Sequence, residues 1–568
     1  MKKENVVLSI CSIFLLVIFG KMLKTEWVDV EKITSKRELV RVLKNERNTS
    51  HSSGGSCRGG SDGKVLRPAV LQSCDGVRDI SDSGGRVLSP SSLKSTSGSF
   101  QSIDGSRSSS SKVSENFSKT NVQEEGIDEG DTIKTDGKYF YKVNKNEFEK
   151  ITLNGKVKAS IVYDDDVELS EVYVDVQKVV IIGKENAKTI VEIYNKKTMK
   201  KERSVTMEGT TLGVRKINDE IYVVVDKEIG YSEPIETSLP IYHDSLIKKK
   251  KEINFDDFHY GPKRELDEYV TIYSLSLTKK EPVKMSTFLG SGNGIYMSEN
   301  AVYLTSTEES ETVIQKFSIH KEDVSFERVG KVEGHTLNQF SMDEYDGYVR
   351  IATTNTSGNY VYVLNEKLKQ VGSVENLAPG EQIKSVRFMG DKGYVVTFEQ
   401  VDPLFTLDLH NPKKPTVKGE LKIPGYSSYL HPYDKNHLIG FGVDNGVKLS
   451  MFDIENMNYP VEEFSKIIGD SDTSSEALKN HRAFFFSKED NLIGFQLSNV
   501  EYNKYYVLMK FDQKNGFQLN RAIELSSNEE NPRMFYIGKK LYIVTNDRIH
   551  VYDRKTLEKK SDEKLIKS

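Results

Sequence analysis

Short runs of alternating apolar and polar residues fill the chain from about residue 128 to its end, separated by turns rich in Gly, Asp or Asn. Such alternation is typical of β-strands that bury one face. Four runs form one repeating unit, and the clearest copy, "IKSVRFMGD-KGYVVTF-PLFTLDL-TVKGELKI", extends from Ile383 to Ile423. The fourth run of a unit is weaker than the others and richer in Lys and Glu.

The unit recurs nine times when the stretch from Asp128 is counted as the first copy. The later copies begin at Ser170, Gly213, Gly294, Leu337, Ile383, Ser427, Arg482 and Arg533. A period of about 45–50 residues with four short strands per unit is typical of a β-propeller. We therefore expect an all-β domain in residues 118–568, a single large β-propeller of eight or nine four-stranded blades.

The last copy raises the question of how the ring closes. Its final run, "TLEKKSDEKLI", is a poor fourth strand, and an open ring would leave unpaired strand edges. We expect strands from both ends of the array to share the closing sheet. One split or degenerate unit would then leave an eight-bladed ring.

An apolar run lies near the N-terminus. Residues 1–5 are a short basic start, expected in the cytoplasm, and residues 6–23 are interpreted as a transmembrane signal anchor. No A-x-A-like cleavage site follows the run, and Trp27 lies where an interfacial aromatic residue is expected. We expect a single-pass protein of the cell membrane with its propeller on the extracytoplasmic side. The alternative is a protein that is secreted after cleavage.

Two segments connect this apolar run to the array. A capping box formed by Ser35 and Glu38, with apolar residues at helical spacing, predicts a short helical segment within residues 30–47. Residues 48–117 are rich in Ser and Gly and predict a disordered linker, because such a composition buries too little apolar surface to fold. The linker would hold the propeller away from the membrane.

Composition narrows the functional classes. With 80 Lys and Arg against 84 Asp and Glu, the net charge of −4 lacks the basic excess of a nucleic-acid-binding protein. The 3 cysteines do not make a disulfide scaffold, and whether Cys57 and Cys74 in the linker pair is left open. The single Trp is Trp27, so Tyr and Phe must supply the aromatic packing between the sheets.

Three phrases carry a resemblance to a known family. They are "TNVQEEGIDEGDTIKTDGKYFY" (120–141), "SVRFMGDKGYVVTFEQVDPLFTLDL" (385–409) and "GELKIPGYSSYLHPYDKNHLIGFG" (419–442). They resemble the secreted bacterial and archaeal C-terminal β-propeller domain family, which is distantly related to WD40. The resemblance implies the fold and export, and it transfers no catalytic residue. The chain departs from the family pattern at Gly130 and Gly393, where Ala is expected.

A cluster of acids at the start of the array is the first candidate site. Asp128, Glu129 and Asp131 could donate oxygen ligands to calcium, although no D-x-D-x-D-G loop is present. The alternative is that they cap turns and bind neighbouring backbone amides where the ring closes. A second candidate is the pair His431 and His437, which could face each other across a hairpin and start a metal site, although no third ligand is apparent. The alternative is a structural or hydrogen-bonded role for both.

An insertion at residues 228–268 interrupts the third unit between its second and third strands. Long insertions in a compact fold are often functional loops. This one combines a basic run with aromatic residues, and it could bind a protein, an anionic polymer or a membrane surface. The alternative is a tolerated surface loop. Its proposed contact residues are Tyr242, Lys248, Lys249, Lys250, Lys251, Phe255, Phe258 and Tyr260.

Neither an H-E-x-x-H nor a G-x-S-x-G motif occurs in the sequence, and no spacing selects a pair of catalytic carboxylates. These observations favour a non-enzymatic binding or interaction module at the cell envelope, with a protein or an envelope polysaccharide as its partner. The alternative is an envelope glycan hydrolase that uses carboxylates at the propeller channel. No cofactor is expected other than calcium at the acids named above.

Overall fold

The structure, a computed structural model, describes residues 30–52 and 116–567, apart from 231–233, 235–237, 262–265, 322, 400, 401 and 502. The predicted anchor at 6–23, the cysteines and most of the predicted linker lie outside these residues. No helix among the described residues is long and apolar enough to cross a bilayer.

Nine sheets follow one another along the chain, and each contains four consecutive antiparallel strands of a propeller blade. Blades 1 to 3 are built from Ile133–Thr135, Tyr139–Asn144, Glu147–Thr152 and Val157–Val162; Val167–Val174, Lys178–Glu185, Lys188–Asn195 and Lys201–Glu208; and Thr210–Ile217, Glu220–Glu228, Glu268–Ser276 and Lys284–Leu289. Blades 4 to 6 are built from Gly294–Met297, Ala301–Glu308, Glu311–His320 and Asp323–Glu333; Met342–Tyr345, Tyr348–Asn355, Gly358–Leu364 and Gln370–Leu377; and Gln382–Met389, Lys392–Phe398, Asp402–Asp408 and Thr416–Ile423. Blades 7 to 9 are built from Tyr426–Asp434, His437–Val443, Val447–Asp453 and Val461–Ile468; Phe485–Ser487, Leu492–Ser498, Lys504–Asp512 and Gly516–Leu525; and Arg533–Ile537, Lys540–Val544, Arg548–Asp553 and Lys559–Lys564.

Short 3-10 helices precede two of the blades. They are Gln339–Ser341 before blade 5, and Glu476–Leu478 and His481–Ala483 before blade 8. The fold is therefore an all-β propeller of nine blades, which settles the choice between eight and nine that the sequence left open.

The prediction that both ends of the array share one closing sheet is wrong. All four strands of blade 9 come from the C-terminal end, including Lys559–Lys564, which seemed too polar for a strand. This outermost strand is half-exposed to exposed throughout, and charged residues suit such a sheet edge because they discourage pairing with other chains. Its polar sequence therefore reflects its position in the blade.

Blades 1 and 9 close the ring by packing and by single strand bridges. The Phe140 ring lies 5.6 Å from Phe535 and 5.5 Å from Tyr542, between ring centroids. Ile566 also pairs with Lys156 of blade 1 in a parallel bridge. Ring closure thus joins the two ends of the array without mixing their strands.

The core lies between neighbouring sheets and is rich in tyrosine. The second and third strands of a blade are buried on both faces, and they read as continuous apolar runs, for example in Glu220–Glu228. As expected for an array without Trp, Tyr and Phe fill the spaces between sheets. The fully buried tyrosines include Tyr141, Tyr173, Tyr222, Tyr269, Tyr273, Tyr303, Tyr394 and Tyr506.

The insertion and residues 30–47 build an extra layer on blades 2 and 3. Ile241–Asp244 and Lys251–Glu252 extend the sheet of blade 2, and Phe258–Tyr260 extends that of blade 3. Glu31–Lys32 then pairs with Phe258–Tyr260, so the N-terminal residues join the same sheet. We call residues 30–47 the outer segment.

The outer segment continues into a helix, Lys36–Ser52, which is longer than the sequence pattern predicted. Leu39, Val42 and Leu43 are buried against the core of blades 2 and 3. At the helix start, the Glu38 amide donates to Ser35 Oγ at 3.3 Å, and Glu38 accepts from the Thr34 amide at 2.9 Å. The predicted cap is therefore present, with its return bond shifted by one residue.

Candidate functional site

Residues 116–131, here called the strap, lie where the first strands of the blades converge. Direct hydrogen bonds join the strap to the first strand of blade 9 through Ser118 and Tyr536, of blade 7 through Asn121 and Tyr429, and of blade 5 through Gln123 and Met342. The strap meets the other blades at Lys134, Val172, Lys216, Tyr296, Arg387 and His481. Because one short segment contacts the beginning of every blade, these strands surround it at the centre of the ring.

Asp131 holds one end of the strap through a buried ion pair. Both of its carboxylate oxygens accept from Nε of Arg533, at 3.0 and 2.9 Å. The same guanidinium donates to Glu476 at 3.1 and 2.8 Å, and the Arg533 residue is 4% exposed. Arg533 therefore joins the strap to blade 9 and to the segment that precedes blade 8.

Glu129 lies deeper and has several partners. Its carboxylate accepts from the Gln123 amide at 3.0 Å and lies 3.1 Å from Nε2 of His481. Burial alone would raise the pKa of Glu129, but Arg215, at 3.9 Å, and His481 hold this pKa well below its usual range. Glu129 is therefore an ionised carboxylate whose charge is balanced within the protein.

The three acids that sequence analysis grouped do not converge on one point. Asp128 pairs with Lys134, whereas Glu129 and Asp131 have the separate cationic partners described above. In the part of the chain that the structure describes, no three His, Cys, Asp or Glu side chains form a group that could hold a metal. This arrangement favours the second interpretation, in which the acids fix the strap where the ring closes.

Gly130 shows why a small residue suits the strap between these acids. A Cβ atom at this position would lie 2.0 Å from a carboxylate oxygen of Glu171 and 2.8 Å from the Tyr173 ring. The Gly130 carbonyl accepts from Arg482 at 2.6 Å. Gly in place of the expected Ala therefore fits this position, because the space that a Cβ atom would need is already filled.

A cavity of about 350 Å³ lies beside the strap, within the size range of small-molecule sites. Strap residues 119–125 form one side, and the beginnings of blades 6 to 9 form the other. The blade wall combines aromatic residues 484–486 and Phe535 with the cations Arg387, Arg482 and Arg533. Of the carboxylates that line it, Asp131 is engaged by Arg533, and Glu125 is exposed.

Arg387 differs from the other arginines of this wall. Arg533 and Arg482 each lie within 4 Å of a carboxylate, whereas Arg387 makes no such ion pair with any described residue. Its Nη2 donates to the Gln123 carbonyl at a long 3.4 Å, and its buried Nε has no hydrogen-bond partner. The guanidinium lies 5.5 Å from the centroid of the Phe340 ring. Arg387 is thus a half-buried cation with unused hydrogen-bonding capacity.

His431 lines the same cavity. Its Nδ1 lies 3.0 Å from the Tyr429 hydroxyl, and its ring contacts Phe486 edge to face at 4.7 Å. Burial, together with the charges of Arg387 and His481, lowers the pKa of His431 to about 3. The imidazole is therefore neutral at physiological pH and adds no charge to the cavity.

His431 and His437 do not pair across the hairpin. In the hairpin register His431 lies opposite Ile439, while His437 lies opposite Asp434 and approaches its carboxylate at 2.8 Å. The two histidines are therefore offset along the hairpin, with Ile439 rather than His437 opposite His431.

A second, smaller cavity of about 140 Å³ lies on the other side of Arg387 and contains three carboxylates. Glu124 accepts from the Tyr296 hydroxyl at 3.0 Å, and Glu344 accepts from the Ser298 hydroxyl at 2.6 Å. Asp343 is bound by both ends of the Arg350 guanidinium. Burial raises the pKa values of Glu124 and Asp343, and Asp343 raises that of Glu124 further.

The proposed contact residues of the insertion fall into two groups. Tyr242 and Phe258 are buried, Phe255 stacks on Phe258 at 5.6 Å, and Tyr260 donates to Glu31 of the outer segment. These aromatic side chains thus help to dock the outer segment. Only the lysines of the run 248–251 are exposed together.

Sequence analysis missed the arginines that bind or face the strap. Arg215, Arg387 and Arg533 lie in the first strands of their blades, and Arg482 lies just before one. The repeated occurrence of Arg at this point of the unit, in "GVRKI", "SVRFM", "NHRAF" and "NPRMF", is the signal that could have identified them. It is visible only when the units are aligned with each other.

The nine four-stranded blades and their central strap define this chain as a β-propeller. The profile of the beta propeller domain family matches residues 117–557, which is most of the chain. The chain belongs to that family.

Two uncharacterised archaeal proteins share part of the sequence. The protein from Archaeoglobus fulgidus is 41% identical over 269 residues, or 47% of this chain and 41% of that protein. The protein from Methanocaldococcus jannaschii is 39% identical over 245 residues, or 40% of this chain and 37% of that protein. The chain thus spans about two fifths of the length of these curated relatives.

Solved propellers are similar to this chain at low sequence identity. Apo AztD from Citrobacter koseri has a TM-score of 0.37 and 12% identity, and the match covers 76% of this chain and 95% of AztD. The WD40 domain of Toxoplasma gondii coronin has a TM-score of 0.33 and 10% identity, and the match covers 47% and 68% of the two chains. Likenesses this remote carry no functional argument.

Proposed function

We propose that this protein is a membrane-anchored, extracytoplasmic β-propeller that acts as a non-enzymatic binding module at the cell envelope. The observation that carries the binding role is the cavity of about 350 Å³ beside the strap. Concave, partly aromatic sites with a few polar groups are the usual form of ligand sites in folded domains. Two of its three arginines form ion pairs, and its aromatic wall suits an apolar ligand.

The anchored part of the proposal rests on the apolar sequence at 6–23 and on the docking of the outer segment. Glu31–Lys32 pairs with a strand of the insertion, and Leu39 and Leu43 are buried against blades 2 and 3. Only residues 24–29 separate the proposed anchor from this docked segment. An anchor there would hold the side of the propeller formed by blades 2 and 3 close to the membrane, and not away from it as the linker alone suggested, because the docked segment precedes the linker.

The binding role is tested by thermal melting of the full-length chain in detergent with calcium, other divalent metals and envelope glycans. A ligand of the native state must raise the melting temperature. We expect a rise that is lost when Thr120→Trp fills the cavity from the strap side. It should persist in Val417→Trp, which places the same bulk on the exposed outer strand of blade 6. An equal rise in melting temperature for the wild type, Thr120→Trp and Val417→Trp, or no rise with any compound, would contradict the proposal.

The orientation is tested with the native cysteines. Cys57 and Cys74 lie between the proposed anchor and the propeller. After treatment of intact cells with an impermeant reductant, a membrane-impermeant maleimide should label the wild-type chain but not the Cys57→Ser/Cys74→Ser variant. Labelling that requires cell lysis would place this region in the cytoplasm and contradict the proposal.

Glycan hydrolysis is the second candidate function, and the smaller cavity favours it. Burial raises the pKa of Glu124, as suits a general acid, and Asp343 lines the same cavity with both carboxylate oxygens bound by Arg350; a glycosidase uses two carboxyl groups in one cavity. Release of reducing sugar from envelope glycans that is abolished by Glu124→Gln would establish this activity. The neighbouring Glu125→Gln is the matched control, because Glu125 is exposed.

A further inference from the structure

We propose that the cavity beside the strap binds a monoanionic carboxylate carried on a flat apolar body, with Arg387 as the residue that recognises the carboxylate. This inference rests on the proposed binding function and names the ligand class of the same site. The carboxylate belongs either to a free aromatic acid or to the C-terminal residue of a peptide, since both present a carboxylate beside an apolar group.

The charge of the site points to an anion. Arg533 is shared between Asp131 and Glu476, and Arg482 lies 3.6 Å from Glu171. Arg387 alone among the three cavity arginines has no carboxylate within 4 Å among the described residues. The buried Nε of Arg387 has no hydrogen-bond partner in the described part of the chain, which is costly, so a ligand that supplies an acceptor gains free energy there.

Only one of the three cavity arginines, Arg387, lacks an ion pair with a described residue, which points to a ligand with one negative charge. A guanidinium offers parallel N–H donors that match the two oxygens of a carboxylate. A phosphate carries nearly two charges and would need a second cation. His431 cannot supply it at neutral pH, because its imidazole is neutral and bound to the Tyr429 hydroxyl at 3.0 Å.

The remaining wall points to an apolar body. Phe484 and Phe535 are buried in the wall, and Phe486 is half-buried beside His431. Aromatic rings favour offset or edge-to-face contacts with another planar group. Phe340 lies against the Arg387 guanidinium and keeps water from one side of it.

The test is thermal melting and calorimetric titration of the full-length chain in detergent at neutral pH. The free-acid probe is phenylacetate, its uncharged control is phenylacetamide, and its doubly charged control is phenyl phosphate. The peptide probe is acetyl-Gly-Gly-Phe, with its C-terminal amide as control. We expect at least one carboxylate probe to bind and raise the melting temperature, at least tenfold tighter than its amide and tighter than phenyl phosphate. Whether phenylacetate or the peptide binds more tightly then distinguishes the two sources.

The variants assign this affinity to Arg387. Arg387→Gln should weaken binding of the better probe at least tenfold, and Arg387→Lys should weaken it less, because the charge remains without the planar fork. Lys422→Gln, on the exposed outer strand of the same blade, removes the same charge and should leave binding unchanged. If Arg387→Gln does not fold, the loss of probe affinity in Arg387→Lys shows whether Arg387 recognises the carboxylate.

Three results would overturn the inference. They are equal binding of the acid and its amide, unchanged affinity in both Arg387 variants, and no binding of any carboxylate probe. In each case the proposed binding function is still tested separately, by the melting screen with metals and glycans and by the Thr120→Trp variant. Failure of the carboxylate class is therefore distinct from failure of the binding role.

Discussion

Two segments that precede the first blade dock onto this propeller, and they do so by opposite means. The strap, residues 116–131, lies at the centre and is held by charged and polar groups, of which Asp131 with Arg533 is the most buried pair. The outer segment, residues 30–47, lies on blades 2 and 3 and is held by Leu39, Val42 and Leu43. Strand pairing of Glu31–Lys32 with Phe258–Tyr260 and exposed ion pairs, such as the one from Lys36 to Glu252, supplement this apolar packing.

The difference shows what each type of contact provides. Apolar burial is non-directional, so it docks the outer segment without requiring one exact geometry. Buried charges are costly unless every partner is present, so the strap is stable only in the position that satisfies all of them. The strap therefore defines the cavity walls, whereas the outer segment serves attachment.

Breaking the buried charge at the strap should have the largest effect. Arg533→Met leaves Asp131 and Glu476 without their partner, and we expect a loss of about 3–5 kcal/mol in the free energy of unfolding. Urea denaturation measures this loss. Arg548→Met is the control in the same blade, because the more exposed Arg548–Asp562 pair should contribute less than about 1 kcal/mol. Equal losses in the two variants would refute the contrast.

Removing apolar burial from the outer segment should have a smaller and more local effect. Leu39→Ala deletes a fully buried side chain, and we expect a cost of about 3 kcal/mol that undocks the helix while the blades stay folded. Hydrogen exchange should accelerate in residues 30–45 and remain unchanged in blades 5 to 9. The exposed Arg37→Ala serves as control. Faster exchange throughout the propeller would show that the outer segment is needed for the whole fold.

Protonation should affect the centre specifically. Because the pKa of His431 is lowered to about 3 in the folded state from an ordinary value of 6.5, the unfolded chain binds more protons between these values. His431 thus contributes stability that is present above pH 6.5 and lost as the pH falls, by at most about 1.4 kcal/mol per pH unit. Melting between pH 7 and 5 measures it, and His431→Gln should flatten the curve. An unchanged slope in the variant would assign the pH dependence to other groups.

The smallest effect should come from the exposed ion pair of the outer segment. Lys36→Ala breaks the 3.0 Å contact with Glu252, and we expect a change of less than about 0.5 kcal/mol, since solvent screens such pairs. Helix hydrogen exchange under the conditions used for Leu39→Ala measures it. A loss as large as that of Leu39→Ala would show that charge, as well as burial, docks this segment.

Much of the fold was predictable because strand periodicity is a local signal. The four-strand units gave the blades their approximate bounds, and nine units became nine blades. Ring closure was not predictable, because the partners of Phe140 in blade 9 lie about 400 residues away in the chain. The strand Lys559–Lys564 was not recognised as the fourth strand of its blade, because an outermost strand is exposed and therefore polar in sequence.

The candidate site was predicted only in part. Asp128, Glu129 and Asp131 were identified as special, but their cationic partners lie in other blades or, for Lys134, in the following strand. His431 was considered for a pairing with His437, but Ile439 lies opposite it in the hairpin. Arg387 was missed because its lack of a carboxylate within 4 Å among the described residues, unlike Arg482 and Arg533, is a property of the folded site and not of its sequence neighbours.

Hydrogen exchange of the full-length chain with and without saturating carboxylate probe tests the central claim most directly. The claim is that the strap and the first strands of blades 6 to 9 enclose the binding site. We predict slower exchange in residues 119–125, 385–389 and 481–486, and no change in the insertion at 228–268. Protection confined to the insertion, or no protection despite measured binding, would contradict the account.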